Sequence, residues 1–167
     1  MQKLALILVL LCCLSSCRST RSVSQASKDT PQGATVSTRP VLADAVVKNA
    51  RAYNGVRYRY GGTTRKGMDC SGLVWAAFKK EDVVLPRISR DMAKKGRPIA
   101  LKDVKKGDLL FFQTDKYKKG INHVGLVITG SRGSIEFIHA TTGNGVITST
   151  LQEPYWNNAF KEARRIL

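Results

Sequence analysis

Histidine is scarce in this chain and useful cysteine scarcer still. Of 167 residues only two are histidine, His123 and His139, and four are cysteine. Cys12, Cys13 and Cys17 crowd the extreme N-terminus, so Cys70 is the lone thiol in the rest of the chain and no disulfide framework can be assembled. Acidic residues are few as well, 12 against 28 Lys and Arg, which leaves a formal charge of +16. Such a surface attracts polyanions, although the Lys/Arg pairs at 79–80, 94–95, 105–106 and 118–119 are scattered and read as solvated faces. There is no internal repeat and no second domain. The longest apolar run, Leu4 to Leu14, is too short to span a bilayer as a permanent helix.

That run follows Lys3 and ends in Leu14-Ser15-Ser16-Cys17, the pattern of a secretory signal peptide. The four-residue ending resembles a bacterial lipobox. The resemblance implies a leader over residues 1–16, cleavage before Cys17, lipidation of Cys17 (with palmitate among the acyl chains) and loss of Cys12 and Cys13. Arg18, rather than an aspartate, after the cysteine favours the periplasmic face of the outer membrane in a diderm cell. Residues 17–40 are rich in Ser, Thr and Arg with Pro31 and Pro40, a flexible tether reaching roughly 25 Å on average. An exported chain meets little nucleic acid, so none is expected as a partner. The domain itself is expected over 41–167, long enough for a real core.

Within it, Val41, Leu42, Ala45, Val46, Ala50 and Tyr53 recur at helical spacing before Gly55. Tyr58-Arg59-Tyr60 reads as an extended piece before the Gly61-Gly62 turn. A second helix is predicted over Cys70–Lys80, with Leu73, Val74, Ala77 and Phe78 on one face. Ser89 is expected to cap a third, short helix ending before Gly96. Strand-like runs follow at Asp108–Gln113, His123–Thr129, Ser134–Ala140 and Gly145–Thr150. Phe160–Leu167 fits helix or strand equally. Helices first and strands later predict an α+β domain whose N-terminal helices pack on an antiparallel β-sheet.

Cys70 at a helix start is placed to be a nucleophile, because unpaired N–H groups and the helix dipole favour the thiolate there. A neighbouring imidazolium would lower the thiol pKa further. Asp69 is expected to cap the helix. Ser71 and Gly72 are small enough to leave a substrate room, and N–H groups at this turn can bind an oxyanion. His123, opening a strand after a loop, is the candidate general base. His139, near the end of the next strand, is placed to orient it. Tyr58 can fold back and donate to the oxyanion or to the substrate carbonyl. Zinc accepts Cys and His ligands, but nothing supplies a structural fourth ligand, so neither metal nor cofactor is expected.

Taken in order, Arg57–Gly62, Gly67–Val74, Leu85-Pro86-Arg87, Lys106–Phe112, His123-Val124-Gly125 and Phe137–Ala140 resemble the NlpC family of cell-wall cysteine peptidases. Glu153–Trp156 and Glu162–Arg165 are most similar to the Spr-type murein endopeptidase lipoproteins within it. The resemblance implies a papain-like fold, a Cys70–His123–His139 triad with Tyr58 beside it, and a strand over Ala163–Leu167. It implies hydrolysis of peptidoglycan stem peptides at the D-alanyl–diaminopimelate cross-link, with the γ-D-glutamyl–diaminopimelate bond as the alternative. Acyl transfer on the same triad, or wall binding without catalysis, are the readings from other classes. The stretch between the histidines is somewhat longer than the family pattern and is expected to border the site, where it would bear on substrate preference.

Overall fold

The computed structural model describes residues 38–117, 119–131 and 133–167. The leader, Cys17 and the tether up to residue 37 lie outside the described residues. The first helix, α1 (Thr38–Arg51), begins before the expected Val41. It buries Ala43, Val46, Val47 and Ala50, a stripe at helical spacing, while Val41 is 60% exposed and off that stripe. A two-residue hairpin, β1 (Thr63–Thr64) and β2 (Gly67–Met68), leads into α2 (Cys70–Lys79). Helix α3 is four residues long, Ser89–Met92. Its cap is Ile88, with no side-chain hydrogen bond, so Ser89 is the first residue inside the helix and not its cap.

The remaining chain forms β3 (Arg97–Ile99), a 3₁₀ turn (Leu101–Asp103), β4 (Leu109–Phe112), β5 (His123–Ser131), β6 (Ser134–Thr141), β7 (Gly145–Thr150), α4 (Pro154–Ala159) and β8 (Phe160–Arg165). The six longer strands make one antiparallel sheet in the order β3-β8-β4-β5-β6-β7. The ambiguous C-terminal segment is thus a strand, and it runs earlier than expected, from Phe160 to Arg165. It inserts between β3 and β4, so the tertiary pairing settles what local pattern left open.

Side-chain alternation divides the core between the two faces of the sheet. Leu109 and Phe111 of β4, with Val124, Leu126 and Ile128 of β5, meet α1 and α2 on one face. Leu110, Phe112, Val127 and Phe137 meet Trp156 of α4 on the other. This two-sided covering is why β4 reads Leu-Leu-Phe-Phe without a polar break. Asp108, fully buried at the head of β4, receives Arg165 through both Nε and Nη2 at 2.8 Å, Arg39 at 2.9 Å and the Lys105 N–H at 2.7 Å. Arg39 also donates to the Leu167 carbonyl, so one carboxylate ties α1 to the far end of the chain.

Candidate active site

Cys70 is the first residue of α2 and is half-buried. Its neighbour Asp69 caps the helix, Oδ1 accepting from the Gly72 N–H at 2.6 Å. The carboxylate does more than cap. Oδ2 accepts from the Gly61 N–H at 2.7 Å, and both oxygens accept from Arg87 at 2.9 Å. Arg87 donates further to Ser71 Oγ at 2.9 Å and to the Gly62 carbonyl at 3.1 Å. Its guanidinium therefore binds the glycine turn to the start of the helix in a bidentate, charge-assisted clamp. The small size of residue 72 serves this packing and not substrate access. A Cβ there would lie 2.0 Å from the Gly62 carbonyl oxygen and 2.9 Å from Asp69 Oδ1. Ser71 lines the cavity beside Cys70; its hydroxyl is held between Arg87 and Asp69, and its backbone N–H is directed at the sulfur.

His123 opens β5 and His139 lies toward the end of β6. Both are buried, with His123 Nε2 3.0 Å from His139 Nδ1. His139 Nε2 is 3.1 Å from Ser149 Oγ on β7. For the second ring nitrogen of His123 to accept a proton, its Nε2 carries the hydrogen and donates to His139, which donates in turn to Ser149. Three aromatic rings enclose the pair. Trp156 stacks on His123 with centroids 5.3 Å apart and planes at 24°, and meets His139 edgewise at 4.5 Å. Phe112 packs beside His123 and Phe137 beside His139.

These surroundings set the protonation states. Burial pushes His123 down to about 4. It pushes His139 down to about 3, with the neighbouring His123 adding to the effect. Both rings are neutral near pH 7. The thiol of Cys70 goes up, first because burial disfavours the thiolate and then because the Asp69 carboxylate stands beside it. The N–H groups of Val124, Ser71 and Cys70 itself pull the other way. The helix N-terminus acts in the expected direction through these N–H groups, but burial outweighs it and the net shift of the thiol is upward. Val124 contributes because β5 pairs with β6 only from Leu126 onward, leaving that N–H free to reach the sulfur.

Cys70 sits where two cavities meet, of 400 and 430 Å³, which share Tyr58, Tyr60 and Asn122. Asp69, Arg87 and Arg90 line the first. His123, Thr114, Tyr155 and Trp156 line the second. The structure thus brings Cys70, His123, His139 and Tyr58 to one cleft. Tyr58 is half-buried, and burial together with Cys70 and Asp69 raises its pKa, so its hydroxyl remains a donor. Of the stretch between the histidines, Val124 reaches the sulfur, while β5 and β6 pair out to Ser131 and Ser134 at the strand ends away from His123. The β4–β5 loop lines the site through Thr114 and Asn122. Asn122 Oδ1 accepts from the Thr114 N–H at 2.8 Å and from its hydroxyl at 3.2 Å, pinning that loop. Arg87, Ser149 and Trp156 were not among the expected site residues. Arg87 and Trp156 do stand in quoted motifs, whereas nothing local marks Ser149.

The NlpC/P60 family matches residues 55–165. Murein DD-endopeptidase MepS/Murein LD-carboxypeptidase of Escherichia coli strain K12 is 40% identical over 116 residues, 69% of this chain and 58% of that protein. Gamma-D-glutamyl-L-lysine dipeptidyl-peptidase of Bacillus subtilis strain 168 is 34% identical over 131 residues, 78% of this chain and 43% of that one. The chain therefore spans about half the length of these relatives. The crystal structure of an NlpC/P60 family protein from Bacillus cereus superimposes with a TM-score of 0.67 at 29% identity, covering 75% of this chain and 40% of the other.

Proposed function

The chain belongs to the NlpC/P60 family, and from that premise we propose that it is a cysteine endopeptidase of peptidoglycan. The observation that carries the reading is the pairing, across one cleft, of a thiol at a helix start with an imidazole whose far nitrogen is committed to a second imidazole. Cys70 Sγ attacks the carbonyl carbon of a stem-peptide amide as His123 takes the thiol proton. The oxyanion is met by the Tyr58 hydroxyl and by N–H groups at the start of α2. Collapse of the tetrahedral intermediate breaks the C–N bond, and His123 returns the proton to the departing amine. Water then attacks the thioester, with His123 as base, releasing the acid and restoring the thiol. His139, held by Ser149, keeps His123 in the accepting tautomer.

The favoured bond is the D-alanyl–diaminopimelate cross-link, by similarity to the murein DD-endopeptidase. The γ-D-glutamyl bond stands second, by similarity to the dipeptidyl-peptidase. Acylation of Cys17 and a tether up to residue 37 would hold the enzyme to the membrane, at the periplasmic face of the outer membrane in a diderm cell. Labelled palmitate incorporation that is lost in Cys17→Ser tests the anchor.

The activity is tested by mass spectrometry of purified peptidoglycan after digestion, beside Cys70→Ala. Conversion of cross-linked dimers to intact monomers, absent in the variant, is the expected result. Stems trimmed next to D-glutamate would move the cut to the second bond. Peptidoglycan unchanged by the wild-type protein would overturn the hydrolase reading.

A further inference from the structure

Among the described residues the imidazole pair of His123 and His139 has no acidic partner. Among the described residues no carboxylate forms a hydrogen bond or ion pair with either ring; their polar partners are each other and Ser149. Cys70, with Asp69 behind it, comes from the start of α2, and Tyr58 from the segment before β1. Asn122 and Asp115 come from the β4–β5 loop, Ser149 from β7, and Tyr155 and Trp156 from α4. Yet every proton that His123 takes from Cys70 leaves a full positive charge on a buried ring. In a low-dielectric site that charge must be met by something preorganised.

We propose that Trp156 supplies it, the face of its indole stabilising the imidazolium that forms on His123 during acylation and thioester hydrolysis. This rests on the reading of His123 as the base. The geometry fits. The ring centroids are 5.3 Å apart with the planes at 24°, inside the range at which a cation is drawn to an aromatic face, and indole has the most favourable face of the aromatic side chains. Trp156 is 7% exposed, so water screens the attraction little. It is itself held in place, by Phe112 at 5.2 Å and Phe137 at 5.4 Å, both edge-on. Pro154 is the first residue of α4, where its fixed φ suits the start of the short helix that carries Trp156. Trp156 is a positioning residue in this account, because it acts on the base and not on the substrate.

Truncating Trp156 would also open a cavity and admit water, so the test holds the volume nearly constant. In a Trp75→Phe background, whose lost ring contacts Lys79 and is absent from the cleft, Trp156 is the sole tryptophan. Biosynthetic replacement with indoles carrying none to four fluorines weakens the ring face stepwise. The expected result is a graded fall in kcat on cross-linked muropeptide, roughly tenfold across the series, with KM unchanged. The pH midpoint at which His123 protonation quenches Trp156 emission should fall in step, since a weaker face holds the imidazolium less well. His123→Ala should remove that quenching step. A flat kcat and a fixed midpoint across the series, with unaltered melting temperature, would overturn the proposal and leave Trp156 a packing residue. If the Trp75→Phe parent leaves peptidoglycan uncut, the hydrolase reading fails by itself, while the emission midpoint still decides whether Trp156 stabilises the His123 cation.

Discussion

On the Cys70 side of the cleft, order comes from formal charge: Arg87 grips Asp69, Ser71 and the Gly62 carbonyl, and Asp69 caps the helix that presents the thiol. On the histidine side, among the described residues, the rings' hydrogen bonds go only to each other and to Ser149. Two neutral rings and a serine are lined up inside Phe112, Phe137 and Trp156. The first wall can afford charge because Arg87 is about a third exposed, side chain 32%, so water shares the cost. The second is dry, and a permanent charge there would be expensive. The nucleophile is thus placed by a network that fails when one member is lost, whereas the base is kept neutral by burial and charged only in passing.

The largest effect is expected where the two walls meet. His123→Ala should lower kcat/KM by roughly 10⁴-fold, since the rest of a triad contributes little without its base. Steady-state hydrolysis of cross-linked muropeptides measures it, and retention of a tenth of the activity would show that the charged wall activates Cys70 unaided.

Next comes the charged wall. Arg87→Ala leaves Asp69, almost fully buried, without its cation and should destabilise the fold by about 2–3 kcal/mol, below the usual range for a buried pair because Arg87 is partly exposed. Asp69→Ala removes the cap as well. Urea unfolding of both singles and the double is the check. The double should lose clearly less than the sum, as partners in one network do.

The histidine wall should instead show itself in the pH dependence of stability. Both folded-state pKa values lie below the ordinary 6.5, so the unfolded chain binds more protons in the interval between. This contribution is fully present above about pH 6.5 and is lost as pH falls toward about 4. Urea midpoints measured from pH 8 to 4 should decline in that window. His139→Gln, which keeps a hydrogen-bonding side chain but cannot protonate, should decline less.

The same contrast explains what could be read from the sequence. Cys70, His123 and His139 stand out because their residue types are so few, and β4 and β5 because their apolar runs are continuous. The cap by Asp69 is local, three residues from its partner, and is therefore legible. Its clamp by Arg87 comes from 18 residues away and exists only once the loop before α3 has folded back. Strand β8 was undecidable locally because only Ala163 is buried along it and its identity comes from insertion between β3 and β4. Helix α4 is six residues long, too short for a periodic signal, so the indole it delivers to the base could not be placed beforehand. Thiol acidity is half legible for a related reason: the helix terminus that lowers the pKa is visible in sequence, but the burial that outweighs it is tertiary.

That last point gives the smallest and most direct test of the two walls. Burial is the first cause that raises the Cys70 thiol and the Asp69 carboxylate the next one that raises it. Asp69→Asn keeps the size of the side chain and an oxygen for the cap, removes the negative charge beside the sulfur, and leaves Arg87 as an uncompensated cation nearby. Both changes favour the thiolate. Iodoacetamide alkylation at pH 8 should therefore speed up by a few-fold, with the whole rate–pH curve displaced toward lower pH. His139→Gln alters no charge near the sulfur at that pH and should leave the curve where it is. If both variants moved it equally, the thiol would be answering to the imidazole pair even at rest, and the division of the cleft into a charged wall and a neutral one would be wrong.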